Sequence, residues 1–369
     1  MRKHLSEKIK GRKSDHLDIC LEENVQARRA TTGFEEIYLV HRALPEIERS
    51  QINLSTTVFN HKFSAPIIVE AMTGGVDKAT KINSAIATAV EKLGLGMGVG
   101  SQRAAIEYPK LEHTFTVARK KAPNAFILAN LGGAQLIKEY GVKEAKKAVK
   151  MLQADALAIH LNPLQEAVQP GGDTSYTGLL KKIEDLVRAL DVPVIVKETG
   201  AGISAEDAEK LEESGVAGID VAGLGGTSWA AVEYYRAKRN KNEGHNLGEA
   251  FWDWGIPTVA SLIETAQHVR VPVIASGGLR SGIDMAKALA VDASLTGVAY
   301  PILGPAVDGA EAVEKKLRLL IDELRNTMFL VGADSVQKLK KVPVIVTGKM
   351  ADWLSIRGFD LQTYARRGL

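Results

Sequence analysis

Eight short, nearly continuous apolar runs, separated by amphipathic stretches, constrain this chain more than anything else in it. They are Pro66-Ile-Ile-Val-Glu-Ala71, Leu95-Gly-Met-Gly-Val99, Phe126-Ile-Leu-Ala-Asn130, Ala156-Leu-Ala-Ile-His160, Pro193-Val-Ile-Val-Lys197, Gly218-Ile-Asp-Val-Ala222, Pro272-Val-Ile-Ala-Ser276 and Ala293-Ser-Leu-Thr-Gly297. Runs apolar on both alternations suit parallel strands covered on two faces. The stretches between them read as helices. Ile82, Ile86, Ala89, Val90 and Leu93 share a face and Gly94 supplies the stop, while Val142, Ala145, Val149 and Leu152 repeat the pattern. Ser204 followed by Asp207 reads as an N-terminal cap of a helix that Gly215 ends. Eight strand–helix alternations without a break in composition predict one closed (β/α)8 TIM barrel of the α/β class.

The chain has 369 residues, more than the roughly 250 of a typical barrel, so terminal extensions are expected. Residues 1–65 read as an N-terminal arm and a small hairpin, Ile52 to Phe63, plugging the barrel's N-terminal end. Residues 66–310 read as the barrel with a long 223–257 insertion, a lid or inter-subunit surface carrying Trp229, Trp252 and Trp254. Residues 311–369 read as a C-terminal helical extension packed on the barrel. The arm's run of Arg2, Lys3, Lys8, Lys10, Arg12 and Lys13 reads, on composition, as a solvated mobile tail.

A hydrophobic fraction of 45% and a charged fraction of 25% fit an ordinary globule. The net charge of +3 is too small to imply a nucleic-acid partner. No apolar run approaches the roughly 18 residues of a membrane helix, and the charged N-terminus lacks the apolar core of a signal peptide. A cytoplasmic location is therefore expected. Cys20 is the only cysteine, which rules out an intrachain disulfide and a CxxC metal site.

In such a barrel the site lies where loops leave the strands' C-terminal ends. Those positions carry Met72-Thr-Gly-Gly75, Ser101-Gln-Arg103, Asn130, His160 to Glu166, Lys197-Glu198, Gly225-Gly-Thr-Ser228, Ser276 to Arg280 and Ala299-Tyr300. Gly277 and Gly278 beside Arg280, at the start of a helix, suit a phosphate; alone they would read as a tight turn. Lys197 ends a very apolar strand, where an unpaired ammonium is costly. It reads either as the salt-bridge partner of Glu198 or as a cation beside a flavin's N1/O2 edge. Asn130 and Ser101 would bond the ring's polar edge, and Thr73-Gly74 would let backbone approach it. Singly, His160 reads as a satisfied core histidine and Glu166 as a solvated carboxylate. With Gln165 and Arg103 they suit a diphosphate, arginine giving bidentate contacts and the carboxylate holding Mg²⁺.

The chain closely resembles the flavin-dependent type 2 isopentenyl diphosphate isomerases, in their archaeal form, over most of its length. The likeness rests on Arg12-Lys-Ser-Asp-His16, Ala71-Met-Thr-Gly-Gly75, Gly100-Ser-Gln-Arg103, His160-Leu-Asn-Pro-Leu-Gln-Glu166, Val196-Lys-Glu198, Gly225-Gly-Thr-Ser-Trp229 and Ser276-Gly-Gly-Leu-Arg280. It implies FMN, with Met72, Thr73, Gly74, Ser101, Asn130, Lys197 and Thr227 around the ring and ribityl chain. Gly277, Gly278, Arg280, Ala299 and Tyr300 would lie near its phosphate. Substrate diphosphate would meet Arg12, Lys13, His16, Ser101, Gln102, Arg103, His160, Asn162 and Gln165, with Glu166 on Mg²⁺. The arm then becomes a closing element. The implied reaction is a 1,3 proton shift between isopentenyl and dimethylallyl diphosphate in isoprenoid biosynthesis. Protonating an unactivated alkene demands a strong acid in a dry pocket. The strand ends offer no obvious carboxylic acid pair, so the resemblance assigns the proton to reduced FMN, through N5 or the adjacent C4a region. His160, Gln165 and Lys197 form the catalytic set, NADPH or NADH primes the flavin, and a homotetramer or stacked pair of tetramers is implied.

Three alternatives share some of these features. An FMN-dependent 2-hydroxy acid oxidase or dehydrogenase uses the same barrel but needs a histidine base near an arginine clamp, and Gly223-Leu-Gly-Gly-Thr-Ser-Trp229 has no histidine. An inosine-monophosphate-dehydrogenase-like enzyme needs a cysteine in a barrel loop, whereas Cys20 precedes the barrel. A nucleic-acid-binding module would need an aromatic stacking surface or a basic helix.

Overall fold

The computed structural model describes the backbone of residues 2–368 and the side chains from residue 13 onward. Eight parallel strands close into a barrel: β1 Ile67–Val69, β2 Gly96–Gly98, β3 Phe126–Gly132, β4 Ala156–His160, β5 Val194–Lys197, β6 Gly218–Asp220, β7 Val273–Ala275 and β8 Leu295–Val298. β8 pairs with β1, Thr296 opposite Ile67, so no edge remains. The eight apolar runs and the barrel they predict are thus present.

Each strand is apolar on its outward face because a helix covers it. The Asp77–Leu93 helix buries Ile82, Ile86, Ala89 and Val90 and stops at Gly94, whose φ of 61° a side chain would resist. The Ser204 hydroxyl accepts from the Asp207 amide at the start of Ala205–Glu213, as its spacing predicts. Helix Ala310–Leu330 packs against Asp77–Leu93 and Gly282–Ala290, both members of the outer ring. The boundary expected at 311 therefore falls inside the ring, since the apolar stripe Val313, Leu317, Leu320 and Leu324 closes the gap between the first and last helices.

The hairpin Thr56–Val58 and His61–Phe63 caps the strands' N-terminal end. Val58, Phe59 and Phe63 join Ile68, Phe126, Leu128, Ile195, Ile274 and Leu295 in one apolar cluster inside the barrel. At the other extreme of the chain, Val344–Val346 pairs antiparallel with Ile37–Leu39. The C-terminal segment is therefore helical with one strand in it, and that strand ties the two ends of the chain together.

The basic arm is not a tail. Residues Arg2–Glu22 form a helix, and its second half lies across the barrel's C-terminal mouth, with Leu17 and Ile19 buried. Residues 25–32 then strap the mouth: the Ser228 amide donates to Val25, the Ala27 amide to Gly226, and the Val259 amide to Thr32. The 223–257 connection folds into helices Trp229–Arg239 and His245–Ala250 beside this strap. Among the described residues no helix is long and apolar enough to cross a membrane.

Candidate active site

Parallel pairing sets the level of each functional side chain. Gly132, His160, Lys197 and Asp220 are successive register partners across β3, β4, β5 and β6, so the last three project inward on one tier at the strands' ends. Above that tier lies a cavity of about 270 Å³, lined by the strand ends, the arm helix and the loops after β6 to β8.

Of the residues singled out from sequence, nineteen whose side chains are described reach this cavity. They are Lys13, His16, Met72, Thr73, Gly74, Ser101, Arg103, Asn130, His160 and Asn162, with Gln165, Glu166, Lys197, Thr227, Gly277, Gly278, Arg280, Ala299 and Tyr300. Gln102 does not. It is fully buried, its amide donating to Ala148 and accepting from the Asn130 amide, so it braces β3 from behind rather than facing a ligand. The Arg12 side chain lies outside the described residues.

Lys197 is buried, and its ammonium donates 2.6 Å to the Glu198 carbonyl. Its ionic partners are not the Glu198 carboxylate, as the neighbouring position suggested, but Asp220 at 3.5 Å and Glu70 at 3.8 Å. Burial disfavours the ammonium, yet the charges of Asp220, Glu70 and Glu198 outweigh it and raise its pKa. The Glu198 carboxylate instead accepts from the amides of Thr199, Gly200 and Ala201, and burial still pushes it up to about 7. Glu70 and Asp220 show that the mouth does hold a buried carboxylate pair, which a reading limited to loop residues overlooked.

His160 Nδ1 lies 2.8 Å from Asn130 Oδ1, which fixes the hydrogen on Nδ1. Burial first, then the charges of Lys197 and Lys13, push this imidazole down to about 3. At neutral pH it is an uncharged hydrogen-bonding group, not an acid. Gly132 makes room for it, since a Cβ there would lie 2.9 Å from His160 Nε2.

A second network runs through the insertion. The Gln165 amide donates 2.9 Å to Glu233 Oε1 and accepts 3.0 Å from Asn162. Glu233 also meets His16 at 2.8 Å and Arg236 at 2.6 Å. Burial would raise Glu233, but His16 and Arg236 prevail and hold it at about 2. The sequence reading missed Glu233. Its signal was available: it is a charged residue on the otherwise apolar stripe of helix Trp229–Arg239, between Ala230 and Ala237. Glu166 is buried, accepting from Asn162 at 3.2 Å, from the Asp173 amide at 2.7 Å and from the Gln169 amide.

On the opposite wall, Gly277 and Gly278 have φ of 97° and 76°, and a Cβ on Gly278 would lie 2.4 Å from Thr32. Asp284 accepts from the Arg280 and Ser281 amides, so the anion donors of this loop are the glycine amides and the Arg280 guanidinium. That guanidinium sits over the Tyr300 ring, 5.3 Å from its centre, and is anchored by Gln26. The bulk of Tyr300 thus serves as a platform for Arg280. Lys13 donates 2.6 Å to the Ser101 carbonyl, and Arg103 pairs with Glu107 at 2.7 Å. Cys20, carried by the arm helix, also reaches the cavity wall, but burial pushes its thiol up to about 12 and keeps it un-ionised.

Two chemistries therefore face each other. The nest, Arg280 and the Lys197 tier suit a phosphorylated planar ring whose reduced form carries negative charge. Lys13, Arg103, Asn162, Gln165 and Glu166 suit a second, anionic ligand. One carboxylate with amide partners is what Mg²⁺ needs from a protein when substrate oxygens and water complete its shell. Among the described residues no cluster of three or more His, Cys, Asp or Glu could hold a metal without such help.

The profile of the FMN-dependent dehydrogenase family matches residues 5–118 and 160–345. The isopentenyl-diphosphate delta-isomerase of Methanothermobacter thermautotrophicus is 50% identical over 359 residues, covering 97% of this chain and 99% of that protein. The protein of the same name from Pyrococcus furiosus is 49% identical over 364 residues, covering 96% and 91%. Among solved structures, a lactate oxidase of Pediococcus acidilactici superposes with a TM-score of 0.66 at 18% identity, covering 94% of each chain. A mandelate oxidase solved with an FMN adduct gives 0.58 at 19%, covering 86% and 90%. The oxidases share the barrel. The sequence likeness lies with the isomerases.

Proposed function

The chain belongs to the FMN-dependent isopentenyl-diphosphate delta-isomerases, and on that premise we propose that it interconverts isopentenyl and dimethylallyl diphosphate. The observation that carries this is the convergence, in one cavity, of a phosphate nest, a charged Lys197 and a polar diphosphate wall. FMN, when bound and reduced, supplies the proton donor and acceptor for a 1,3 shift that leaves the substrate's redox state unchanged. Gly277, Gly278 and Arg280 hold its phosphate, and Met72, Thr73, Gly74, Ser101, Asn130, Thr227, Ala299 and Tyr300 complete its seat. Lys197 would set a positive charge beside the ring's N1/O2 edge.

Lys13, His16, Arg103, Asn162 and Gln165 hold the diphosphate, with Glu166 sharing Mg²⁺ with it. His160 is a neutral partner that orients substrate. Glu233, by fixing His16 and Gln165, stiffens that wall. The arm helix closes the mouth and excludes water, which a carbocation-like transition state requires. NADPH or NADH primes the flavin without stoichiometric consumption. A cytoplasmic homo-oligomer, tetramer or octamer, is proposed alongside; exposed Leu44, Tyr38 and Ile356 are apolar groups that such assembly would cover. The oxidase alternative has only the shared barrel behind it.

The test is direct. The purified protein should be yellow, and under anaerobic reduction with Mg²⁺ it should convert either isomer into the other. Glu166→Gln keeps the flavin bound and loses Mg²⁺-dependent turnover. A colourless protein that still turns over, or a Glu166→Gln variant with unchanged metal dependence, refutes the respective assignment.

A further inference from the structure

Both carboxylate oxygens of Glu70 are buried and neither makes a well-formed hydrogen bond, the one amide that approaches the carboxyl being that of the adjacent Ala71. Such a group is rare in a native interior. Its surroundings explain what it lacks. Glu70 follows β1 and faces Lys197 at 3.8 Å, beyond hydrogen-bonding distance. The Asp220 carboxylate lies within hydrogen-bonding reach of it. On the adjacent strand β8, Gly297 leaves the space that Glu70 fills, since a Cβ there would lie 2.4 Å from Glu70 Oε1. Asp220 is well served: Ser276 and the Ala222 amide donate to it, and Lys197 is 3.5 Å away. The other titratable groups around this tier are Glu198, whose carboxylate is taken by three amides, and the neutral His160. Two ionised carboxylates cannot bond each other, so the contact between Glu70 and Asp220 requires a proton.

We propose that Glu70 is a positioning residue that carries this proton, donating it to Asp220 so that Lys197 faces one anion instead of two. With Glu70 neutral, the buried trio of Lys197, Asp220 and Glu70 is uncharged overall. With Glu70 ionised, it carries a net negative charge under a ligand that becomes more negative on reduction. The protonated carboxyl therefore preserves the positive character of Lys197 toward the mouth. Burial first, and then the charge of Asp220, push Glu70 up to about 8, which keeps the proton in place at neutral pH. The inference rests on the flavin reading of this cavity for its consequence, but the proton itself does not.

The experiment compares wild type, Glu70→Gln and Asp220→Asn as holoproteins, reading the ratio of affinities for reduced over oxidised FMN from neutral to alkaline pH. In wild type the ratio falls by about tenfold as Glu70 ionises, equivalent to one pKa unit between redox states. Glu70→Gln, a permanent mimic of the protonated form, matches wild type at neutral pH and shows no fall. Asp220→Asn leaves Glu70 as the anion for Lys197, and the alkaline inflection disappears. A Glu70→Gln variant that departs from wild type at neutral pH, or that keeps the fall, overturns the proposal.

Thermal unfolding of the apoproteins supplies an independent readout. A carboxyl raised from 4.5 to about 8 contributes stability below its unfolded value that is lost as pH rises through the folded one. Wild type should lose more stability than Glu70→Gln between about pH 5 and about pH 9. Parallel curves overturn the proton assignment. A protein that binds no flavin overturns the proposed function, and the melting curves then decide this inference alone.

Discussion

The two ends of the barrel are made from the same eight strands and solve opposite problems. At the N-terminal end, Phe126 stacks on Phe59 with ring centres 5.8 Å apart and meets Phe63 edge-on at 5.3 Å. Around them lie the aliphatic Val58, Ile68, Leu128, Ile195, Ile274 and Leu295, and the one imidazole there, His61, lays its ring on Phe63 and Phe126 at 4.9 and 5.5 Å. At the C-terminal end the same strands finish in His160, Lys197 and Asp220, with Glu70 one step beyond β1. Strand β3 shows the change within a single element: Phe126 opens it in the floor, and Asn130 near its end already bonds His160. The floor contributes stability by excluding water. The mouth uses that stability to hold ionisable groups in a place where each would be costly alone. This separation lets loops and charges at one end vary without loss of the fold.

The sharpest way to break the comparison is at Lys197. Lys197→Met leaves the buried Asp220 carboxylate without its cation and should cost about 3–5 kcal/mol, as for other buried pairs stripped of one partner. Denaturant midpoints measure that loss, and fluorescence titration should show a concurrent loss of affinity for reduced FMN. Phe126→Ala should cost a similar ~3–5 kcal/mol through its cavity, while affinity for the flavin stays near that of wild type. If the two variants affected flavin binding equally, the ends would not be separable as described.

The His16–Glu233–Gln165 network sharpens the contrast through pH. Glu233 lies below the ordinary 4.5, at about 2, so its contribution is present above the unfolded value and is lost as pH falls between those limits. Unfolding curves of wild type and Glu233→Gln should converge across that window, by on the order of 3 kcal/mol. A difference that persists unchanged to the acid limit would mean that the carboxylate is not held ionised by its partners. The smallest effect is expected on the outer ring, away from both ends. Ser204→Ala removes a helix cap and should cost about 1 kcal/mol, visible in thermal melting, with flavin affinity unaffected.

Much of the mouth was legible in the chain because glycines, amides and charges directly follow apolar runs. Gly277-Gly278 with Arg280, and His160 to Glu166, stand out for that reason, and the resemblance then added the arm. What escaped notice were charges inside the runs. Glu70 sits between Val69 and Ala71 at the end of the first run, and Asp220 between Ile219 and Val221 in the sixth. A carboxylate in a buried strand is itself a signal, but the pattern cannot tell which cation it will meet. Lys197 has Glu198 beside it in sequence and pairs with Glu70 and Asp220 through space, because successive strand residues face opposite sides of the sheet. Gln102 erred the other way. Its position between Ser101 and Arg103 suggested a ligand contact, but its side chain turns behind β3. Composition likewise made residues 1 to about 20 a loose tail, whereas Arg2–Glu22 is a helix whose residues Lys13, His16, Leu17 and Cys20 line the mouth.

The number, order and parallel sense of the strands follow from the linear pattern, because burial on both faces leaves no other use for eight such runs. Which ends of those strands meet across the axis is a matter of register and closure. Those long-range relations bring Glu70 beside Asp220 from positions 150 residues apart in the chain numbering, 70 and 220, and the arm over all of them. Local chemistry selects the groups, and closure of the sheet selects their neighbours, because an ionised side chain takes its properties from whatever lies within a few ångströms of it.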